Sequence, residues 1–447
     1  MGQQEGAKSL LTASIRRYSF AYLCVAIFSF LLIYIASEYF QTARLSQLVS
    51  FQAWDAPGPL PENLYPNAFG NHFFGDFLII FRLSQQDSPY FAPGIVPFFY
   101  FPLSAVFLGP LVLFDYWVAL ALFMLFGLCG FFLVCWHGLS HLDRHSRKVI
   151  IALVLFSGPM FSAIDRGNLA LILALVSIAG VLQIYKGRNY RAAVLLGIAG
   201  AMKGYPILYL LIFVRRRQWK EFSAGVVSFI LGIIIPLSFY NNGLLGNFKE
   251  MSSQFIGASN PQHATNIRAY NSSLLALLDT CRTSVVPYFS TSFQFLEDKY
   301  TIVGLIFTII LLVHSISKHA SDFESLLLTT VVICLVPQTV GYYVLLLYFV
   351  PLLFLWANNE SSDLRNKIVL AAIAIIMVPK GLPLWFPFGY WSPAAATYTS
   401  LLNPVCGLLI AFTCIKNIST RRLTARKLVT NSKDIHQDSR HTIDMSF

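Results

Sequence analysis

Long apolar runs recur along almost the whole of this 447-residue chain and restrict it to a membrane-embedded helical fold. The clearest runs are 18–36, 116–136, 168–185, 221–240, 300–314, 323–340, 342–357 and 396–415. Several approach the roughly 20 residues that an α-helix needs to cross a bilayer. Only 12% of the residues are charged, about half the share found in soluble domains. A soluble core does not need so many apolar segments.

Positive charges lie between the apolar runs and predict how the chain threads the membrane. Most of the 32 Lys and Arg residues lie in such clusters, for example 215–220 and the tail 416–447. With both termini in the cytoplasm, these clusters share one side, as the positive-inside rule requires. The net charge of +11 therefore indicates a membrane orientation, and nucleic acid is not an expected partner.

Segment 98–114 is apolar, yet the charge pattern argues against a full crossing. If this segment crossed, every later basic cluster would move to the opposite side, and the positive-inside pattern would be lost. Pro102 and Pro110 also suit a short helix better than an uninterrupted span. We therefore expect an interfacial or re-entrant helix here.

Segment 191–214 has basic clusters at both of its ends. Lys203, Gly204 and Pro206 interrupt its middle, where glycine and proline open the backbone. This pattern predicts two short helices that form a hairpin with its tip on the outer side.

The expected fold is an all-α polytopic membrane protein with about twelve transmembrane helices. Residues 1–415 form a single domain, and 416–447 form a basic cytoplasmic tail. The first outer loop is 37–115, with interfacial helices, and the long outer loop is 241–299. Since no convincing cleavage site follows the first apolar run, we expect an uncleaved first helix.

Polar side chains among apolar runs are costly in lipid, so they are the leading functional candidates. Under the predicted topology they meet at the outer ends of helices. The candidates are Asp76, Tyr100, Asp165, Arg166, Asn168, Lys203, Tyr205, His263, Arg268, Asn271 and Tyr343. Simpler roles exist: Asp165 can pair with Arg166, Lys203 can cap a carbonyl, and Tyr343 can anchor at the interface.

Several common site motifs are absent from the sequence. It contains no G-x-x-x-x-G-K-[ST], no H-E-x-x-H and no G-x-S-x-G. The seven cysteines include no C-x-x-C and lie mostly in apolar runs, as expected for helix packing. We expect neither a disulfide framework, nor a metal site, nor a cofactor.

A set of short motifs follows the order of a known family across residues 70–355. The motifs are GDF at 75–77, SPY at 88–90, FYFPL at 99–103, GPL at 109–111, DRGNL at 165–169, MKGYP at 202–206, YNSSL at 270–274 and the stretch 337–351. This ordered set resembles glycosyltransferase family 87, the polyprenol-phosphate-mannose-dependent α-mannosyltransferases of the C-type membrane glycosyltransferase superfamily. Two departures occur: Phe101 replaces a proline, and Tyr342-Tyr343 stands where members often carry histidine.

The resemblance implies a C-type fold and a hexosyltransferase of the mannosyltransferase kind in the bacterial plasma membrane. It implies transfer from a polyprenyl-phosphate sugar to a lipid or glycan acceptor on the outer face. Nucleotide sugars stay in the cytoplasm, so an outward-facing transferase needs a lipid-phosphate donor. The sequence leaves open both the acceptor and the sugar, which can be arabinose or a hexose.

The expected reaction is a single inverting displacement in which Asp76 takes the proton of the acceptor hydroxyl. Cations stabilise the leaving phosphate, and the candidates are Lys203, Arg268, His263 and Arg166. Tyr90, Tyr100 and Tyr343 are expected to stack on sugar rings or to line a lipid groove. Two alternatives remain: a lipid-linked glycan transporter or ligase, and a noncatalytic membrane scaffold.

Overall fold

The all-helical prediction is confirmed wherever the chain is described. The computed structural model describes residues 74–90, 100–140, 142–258, 271–285, 290–358, 364–378 and 397–443. Within these ranges there is no strand, and an isolated antiparallel bridge joins Asn271 to Gly341. The predicted first helix at 18–36 lies outside the described residues.

The described chain is divided into many helices, of which several are too short to cross a bilayer. In the first half they are α1 (Gly75–Ser84), α2 (Pro102–Leu108), α3 (Tyr116–Gly138), α4 (Arg144–Leu155), α5 (Gly158–Arg166), α6 (Ala170–Tyr185), α7 (Asn189–Lys203), α8 (Leu211–Arg215) and α9 (Trp219–Phe239). In the second half they are α10 (Gly243–Ala258), α11 (Leu274–Thr280), α12 (Ser290–Asp298), α13 (Tyr300–Ser315), α14 (Asp322–Leu335), α15 (Phe349–Asn358), α16 (Leu364–Met377) and α17 (Tyr398–Ile443). Tighter 3₁₀ turns occupy Gly109–Leu113, Tyr205–Leu210 and Tyr342–Tyr348, and a π-turn occupies Cys281–Val285.

Three of the described helices are long and apolar enough to cross a membrane: α3, α9 and the Tyr398–Ala425 part of α17. The pair α4–α5, bent by 55°, makes a fourth if it is one broken span. Large apolar side chains on these helices face outward, such as Leu125 on α3 and Ile235 on α9, which are 60% and 50% exposed. Such faces suit lipid. The expected dozen spans stays a prediction, because the other apolar helices are shorter.

The prediction that segment 98–114 contains no full-length helix is confirmed. Pro102 occupies the first turn of α2, and the 3₁₀ turn Gly109–Leu113 follows directly. Together they are about 20 Å long, which is shorter than the roughly 30 Å hydrocarbon core. They pack against α1, α7 and α9. Their interfacial position stays a prediction.

The prediction that 191–214 is divided into two short helical pieces is also confirmed. Helix α7 ends at Lys203, and Gly204 adopts φ 74°, which side chains rarely tolerate. A Cβ on Gly204 would lie 3.0 Å from the ring of Phe101. Pro206 then opens the 3₁₀ turn that leads into α8. Gly204 and Pro206 therefore cause the break between α7 and the turn that follows it.

Helices α6 and α14 form the centre of the bundle, since residues on all of their sides are buried. A helix that is apolar all round is typical of such a position. Helix α6 packs against α3, α7 and α15, and α14 packs against α13, α15 and α17. The buried faces explain why α6 is apolar almost throughout, while in α14 the buried Thr329 and Thr330 donate to carbonyls of their own helix.

A group of charged residues, the Asp322 cluster, joins α8, α14 and α17 at one end of the bundle. It comprises Arg215, Arg216, Asp322, Glu324 and Arg421. The segment 205–215 runs from this cluster to Tyr205 at the other end. Its length is about 20 Å, from six 3₁₀ and five α-helical residues. The two ends of the bundle therefore carry different polar groups.

Candidate active site

The start of α1 and the end of α5 are joined through their backbones. Phe74 N–H donates to the carbonyl of Asp165 over 2.7 Å. Gly167 ends α5 in the left-handed region, with φ 60°. A Cβ on Gly167 would lie 2.6 Å from the Cβ of Phe77, so this approach requires glycine. As a result, the side chain of Asp76 lies next to the residues around Gly167.

Asp76 is held through both of its carboxylate oxygens. The Arg166 guanidinium donates to Oδ1 and the Asn168 amide donates to Oδ2, each over 2.5 Å. Asn168 is buried, and its Oδ1 accepts from the backbone N–H of Ala170 over 2.8 Å. That bond turns the Asn168 NH₂ towards the carboxylate. The same NH₂ donates to the Tyr100 hydroxyl over 3.1 Å.

The environment of Asp76 changes its acidity. The side chains of Asp76 and Arg166 are only 12% and 14% exposed. Helix α1 has ten residues and is not a membrane span. Burial raises the pKa of Asp76 to about 6, while the Asn168 hydrogen bond and the positive charge of Lys203 act to lower it. Asp76 is therefore mostly a carboxylate at neutral pH and is more basic than an exposed aspartate.

Lys203 lies among aromatic rings at the end of α7. Its Nζ is 4.4 Å from the ring centroid of Tyr100, 5.5 Å from that of Tyr343 and 5.9 Å from that of Tyr205. These distances are typical of cation–π contacts. Lys203 forms neither a hydrogen bond nor an ion pair with any described residue. It is a cation whose charge is not neutralised by a direct carboxylate contact in this part of the chain.

Together these residues form the Asp76 cluster, which comprises Asp76, Tyr100, Arg166, Asn168, Lys203, Tyr205 and Tyr343. The structure thus brings together most of the sequence-predicted site. A carboxylate with a raised pKa beside two cations can accept a proton while an anion is bound nearby. In the described ranges, no three His, Cys, Asp or Glu side chains come close enough to suggest a metal ion.

Tyr100 is positioned by hydrogen bonds of neighbouring backbone groups. Phe101 N–H donates to the carbonyl of Met202 over 3.0 Å, and Ser104 Oγ donates to the same carbonyl. Tyr90 donates its hydroxyl to the carbonyl of Tyr100 over 2.8 Å. The side chain of Tyr90 is almost fully buried. In this structure Tyr90 supports Tyr100, and its expected contact with a sugar ring or a lipid groove stays a prediction.

Asn271 holds the loop that presents Tyr343. Its amide donates to the carbonyl of Gln338 over 2.8 Å and accepts from Val340 N–H over 2.9 Å. The residue is fully buried. Gly341 lets the Tyr343 ring approach, since a Cβ there would lie 2.6 Å from it. The described contacts place Asn271 behind the cluster, and its predicted role in substrate binding stays a prediction.

The other predicted site residues are distributed as follows. Asp165 joins α5 to α1 through its backbone carbonyl. Arg166 pairs with Asp76, and the simpler explanation that it pairs with Asp165 stays a prediction. His263 and Arg268 lie outside the described residues.

Sequence reasoning missed the part that α10 plays in supporting the site. Asn247 accepts from Ser88 Oγ over 2.6 Å, and Gln254 donates to the carbonyl of Tyr90 over 2.6 Å. These bonds hold the segment 88–90, from which the Tyr90 hydroxyl reaches the carbonyl of Tyr100. No local pattern marks them, because polar residues on a helix between apolar runs ordinarily face water.

The geometry defines a membrane-embedded helical bundle with a buried carboxylate and cations at one end. The sequence profile of glycosyltransferase family 87 matches residues 98–379, which is more than half of the chain. The protein belongs to this family and is a membrane glycosyltransferase. No curated protein matches the chain closely enough to count as a relative. Asp76 precedes the matched range, whereas the rest of the Asp76 cluster lies within it.

Proposed function

We propose that this enzyme moves a hexose, in the first instance mannose, from a polyprenyl-phosphate donor to a lipid or glycan acceptor. The observation that carries the proposal is the Asp76 cluster, in which one basic carboxylate lies beside Arg166 and Lys203. A glycosyltransferase needs a proton acceptor and a means to stabilise its leaving group, and the cluster supplies both.

The donor class follows from the surroundings of Lys203. A partly buried cation without a direct carboxylate contact favours an anionic ligand, and a sugar phosphate supplies one. The Tyr205 hydroxyl is buried and has no hydrogen-bond partner among the described residues, so it can donate to the same anion. Helices α3 and α9 expose large apolar side chains, which suits a donor with a polyprenyl chain.

The proposed reaction is a single displacement with inversion. Asp76 removes the proton from the acceptor hydroxyl, and that oxygen attacks the anomeric carbon. The bond from this carbon to the phosphate oxygen breaks on the opposite face, and the electron pair leaves with the polyprenyl phosphate. Because phosphate is a good leaving group, no second acid is required. Lys203 and Arg166 stabilise the negative charge that grows on the phosphate.

The charge distribution supports an outward-facing site in a bacterial plasma membrane. The Asp322 cluster contains three arginines and includes the start of the basic tail, through Arg421. The positive-inside rule assigns that end to the cytoplasm, and we propose from the charge pattern of the sequence that both termini lie there too. The Asp76 cluster lies at the other end of segment 205–215 and so faces outside. His263 and Arg268 in the long outer loop are proposed as further phosphate ligands.

The test is transfer by the full-length Asp76→Asn and Asp76→Ala variants. Membranes are incubated with radiolabelled polyprenyl phosphomannose and a lipid extract as acceptor, and labelled products are separated by chromatography. Both variants should lose transfer by about 10³-fold, the range expected for a general base. Parallel assays with polyprenyl phosphoarabinose test the sugar.

Asp322→Asn provides the matched control, because it neutralises a partly buried acid in the other cluster. It should retain transfer once corrected for the amount of folded protein. Undiminished transfer by both Asp76 variants would overturn the proposal. If wild-type protein instead moves the labelled lipid across vesicles without forming product, the protein is a transporter.

A further inference from the structure

We propose that Arg166 changes partner during the reaction, leaving the Asp76 carboxylate and binding the phosphate of the departing polyprenyl phosphate. This inference rests on the proposed function, and it assigns different roles to the two cations of the site. Lys203 is a permanent phosphate ligand, whereas Arg166 first positions the base and then neutralises the leaving group.

The starting arrangement is given by the contacts of Asp76. Arg166 occupies Oδ1 and Asn168 occupies Oδ2, each at 2.5 Å. These bonds fix the carboxylate in one orientation. A charge-assisted bond of this kind is strong only while the acceptor keeps its negative charge. Arg166 thus has a partner whose attraction depends on the protonation state of Asp76.

Proton transfer removes the negative charge of Asp76, and cleavage of the donor creates a second negative charge on the leaving phosphate. The donor is a phosphodiester with one negative charge, and Asp76 begins as a carboxylate. When the acceptor proton moves to Asp76, the carboxyl becomes neutral, and the released phosphate monoester gains a second negative charge. One unit of negative charge has therefore moved from the partner of Arg166 to the leaving group. Electrostatics then favours transfer of the guanidinium to the phosphate.

Lys203 does not need to make such an exchange. It has no carboxylate or hydrogen-bond partner in the described part of the chain, and rings of Tyr100, Tyr205 and Tyr343 surround it. Aromatic faces hold a cation without neutralising its charge. Lys203 can therefore bind the phosphate before, during and after transfer, while Arg166 is available to it only after Asp76 is protonated.

The experiment measures product affinity, independently of turnover. Full-length protein in nanodiscs is titrated with farnesyl phosphate, a monoester, and with farnesyl methyl phosphate, a diester. Asp76→Asn carries the charge of the protonated carboxyl and should release Arg166. This variant should bind farnesyl phosphate about tenfold more tightly than wild type, as expected for one additional charge-assisted bond. The gain for the diester should be smaller.

The combined variant Asp76→Asn/Arg166→Gln separates partner exchange from the simple loss of a repelling charge. If Arg166 provides the gain, the combined variant should show none of it, and Asp76→Asn/Arg166→Lys should recover part of it. Thermal unfolding and gel filtration verify that each variant is folded. Asp322→Asn should bind farnesyl phosphate as wild type does.

A tenfold gain that persists in the Arg166→Gln background would overturn the exchange, because charge removal alone would explain it. An Asp76→Asn variant that loses transfer but gains no affinity would also overturn the exchange, while the proposed function would stand. Full transfer by Asp76→Asn would instead overturn the proposed function itself. These results are distinguishable because affinity and transfer are measured separately.

Discussion

The two charged clusters of this molecule differ in how completely their cations are paired. In the Asp322 cluster, Arg215 and Arg216 share the carboxylate of Asp322, and Arg421 pairs with Glu324. In the Asp76 cluster, Arg166 has a carboxylate, but Lys203 contacts only aromatic rings among the described residues. Paired charges connect helices, whereas a buried cation without such a partner favours an anionic ligand. Pairing therefore distinguishes the Asp322 cluster from the Asp76 cluster, for which we propose a catalytic role.

Both clusters join acidic residues in the first turn of a helix to partners that are distant in the sequence. Ser321 and Glu324 form a reciprocal capping box, and Asp322 lies in the same first turn of α14. Acidic residues in that position are stabilised by the helix dipole. Asp76 likewise lies in the first turn of α1, but its partners Arg166 and Asn168 are 90 and 92 residues away. Arg216 is 106 residues from Asp322, and Arg421 is 97 residues from Glu324, so only the folded bundle assembles either cluster.

The largest effect that separates the clusters is expected from removing one cation from each. Lys203→Met keeps an unbranched side chain and deletes the charge. Transfer should fall by about 10²–10³-fold, as when one group that stabilises a developing anion is lost. The measurement is the rate of radiolabelled product formation per folded protein. Thermal stability should be retained, since no ion pair is broken.

Arg216→Met is the matched control in the other cluster. Arg216 is 23% exposed, so breaking its pair with Asp322 should cost about 1–2 kcal/mol of stability. Its transfer rate, corrected for folded protein, should stay within about twofold, because a distant charge is largely screened. Equal losses of transfer in the two variants would break the comparison between the clusters.

A second, intermediate effect concerns pH. Asp76 accepts a proton only as a carboxylate, and burial raises its pKa to about 6. The transfer rate should therefore fall about tenfold for each pH unit below 6 and level off above it. The measurement is kcat/KM for transfer between pH 4.5 and 8, because this quantity reports the pKa of the free enzyme.

The pH dependence of transfer also tests the difference between Lys203 and Arg216. The charge of Lys203 lowers the pKa of Asp76, so Lys203→Met should raise that pKa and move the fall in rate to higher pH. Arg216→Met should leave the profile in place. A profile that moves equally in both variants would mean that the clusters are electrostatically coupled.

The smallest effect is expected from the aromatic contacts of Lys203. Tyr343→Leu removes a ring whose centroid is 5.5 Å from Nζ, whereas Tyr343→Phe keeps the ring. A cation–π contact of this kind is worth about 1 kcal/mol, so the leucine variant should bind farnesyl phosphate about fivefold less tightly. The phenylalanine variant should bind within about twofold of wild type. Equal losses in both variants would assign the effect to the Tyr343 hydroxyl.

Breaks in helices were predictable because they depend on single residues. Gly204 and Pro206 divide segment 191–214, and Pro102 begins the short helix in segment 98–114. The number of spans was harder to predict: among the described helices three are long enough to cross a membrane, or four if the bent pair is one span. Hydropathy reports apolar composition along the chain, but it does not report where a helix bends within the bundle.

Taken alone, the amino-acid sequence determined that this chain is a membrane helical protein and that Asp76, Arg166 and Lys203 are costly polar residues within it. Composition and charge suffice for those conclusions, because the cost of placing a charge in lipid depends on the residue itself. The tertiary structure decided which charges meet. Arg166 reaches Asp76 because Gly167 lets α5 approach α1, and Lys203 is enclosed by rings from three separate segments. Contacts between distant residues depend on helix packing, which no local pattern specifies.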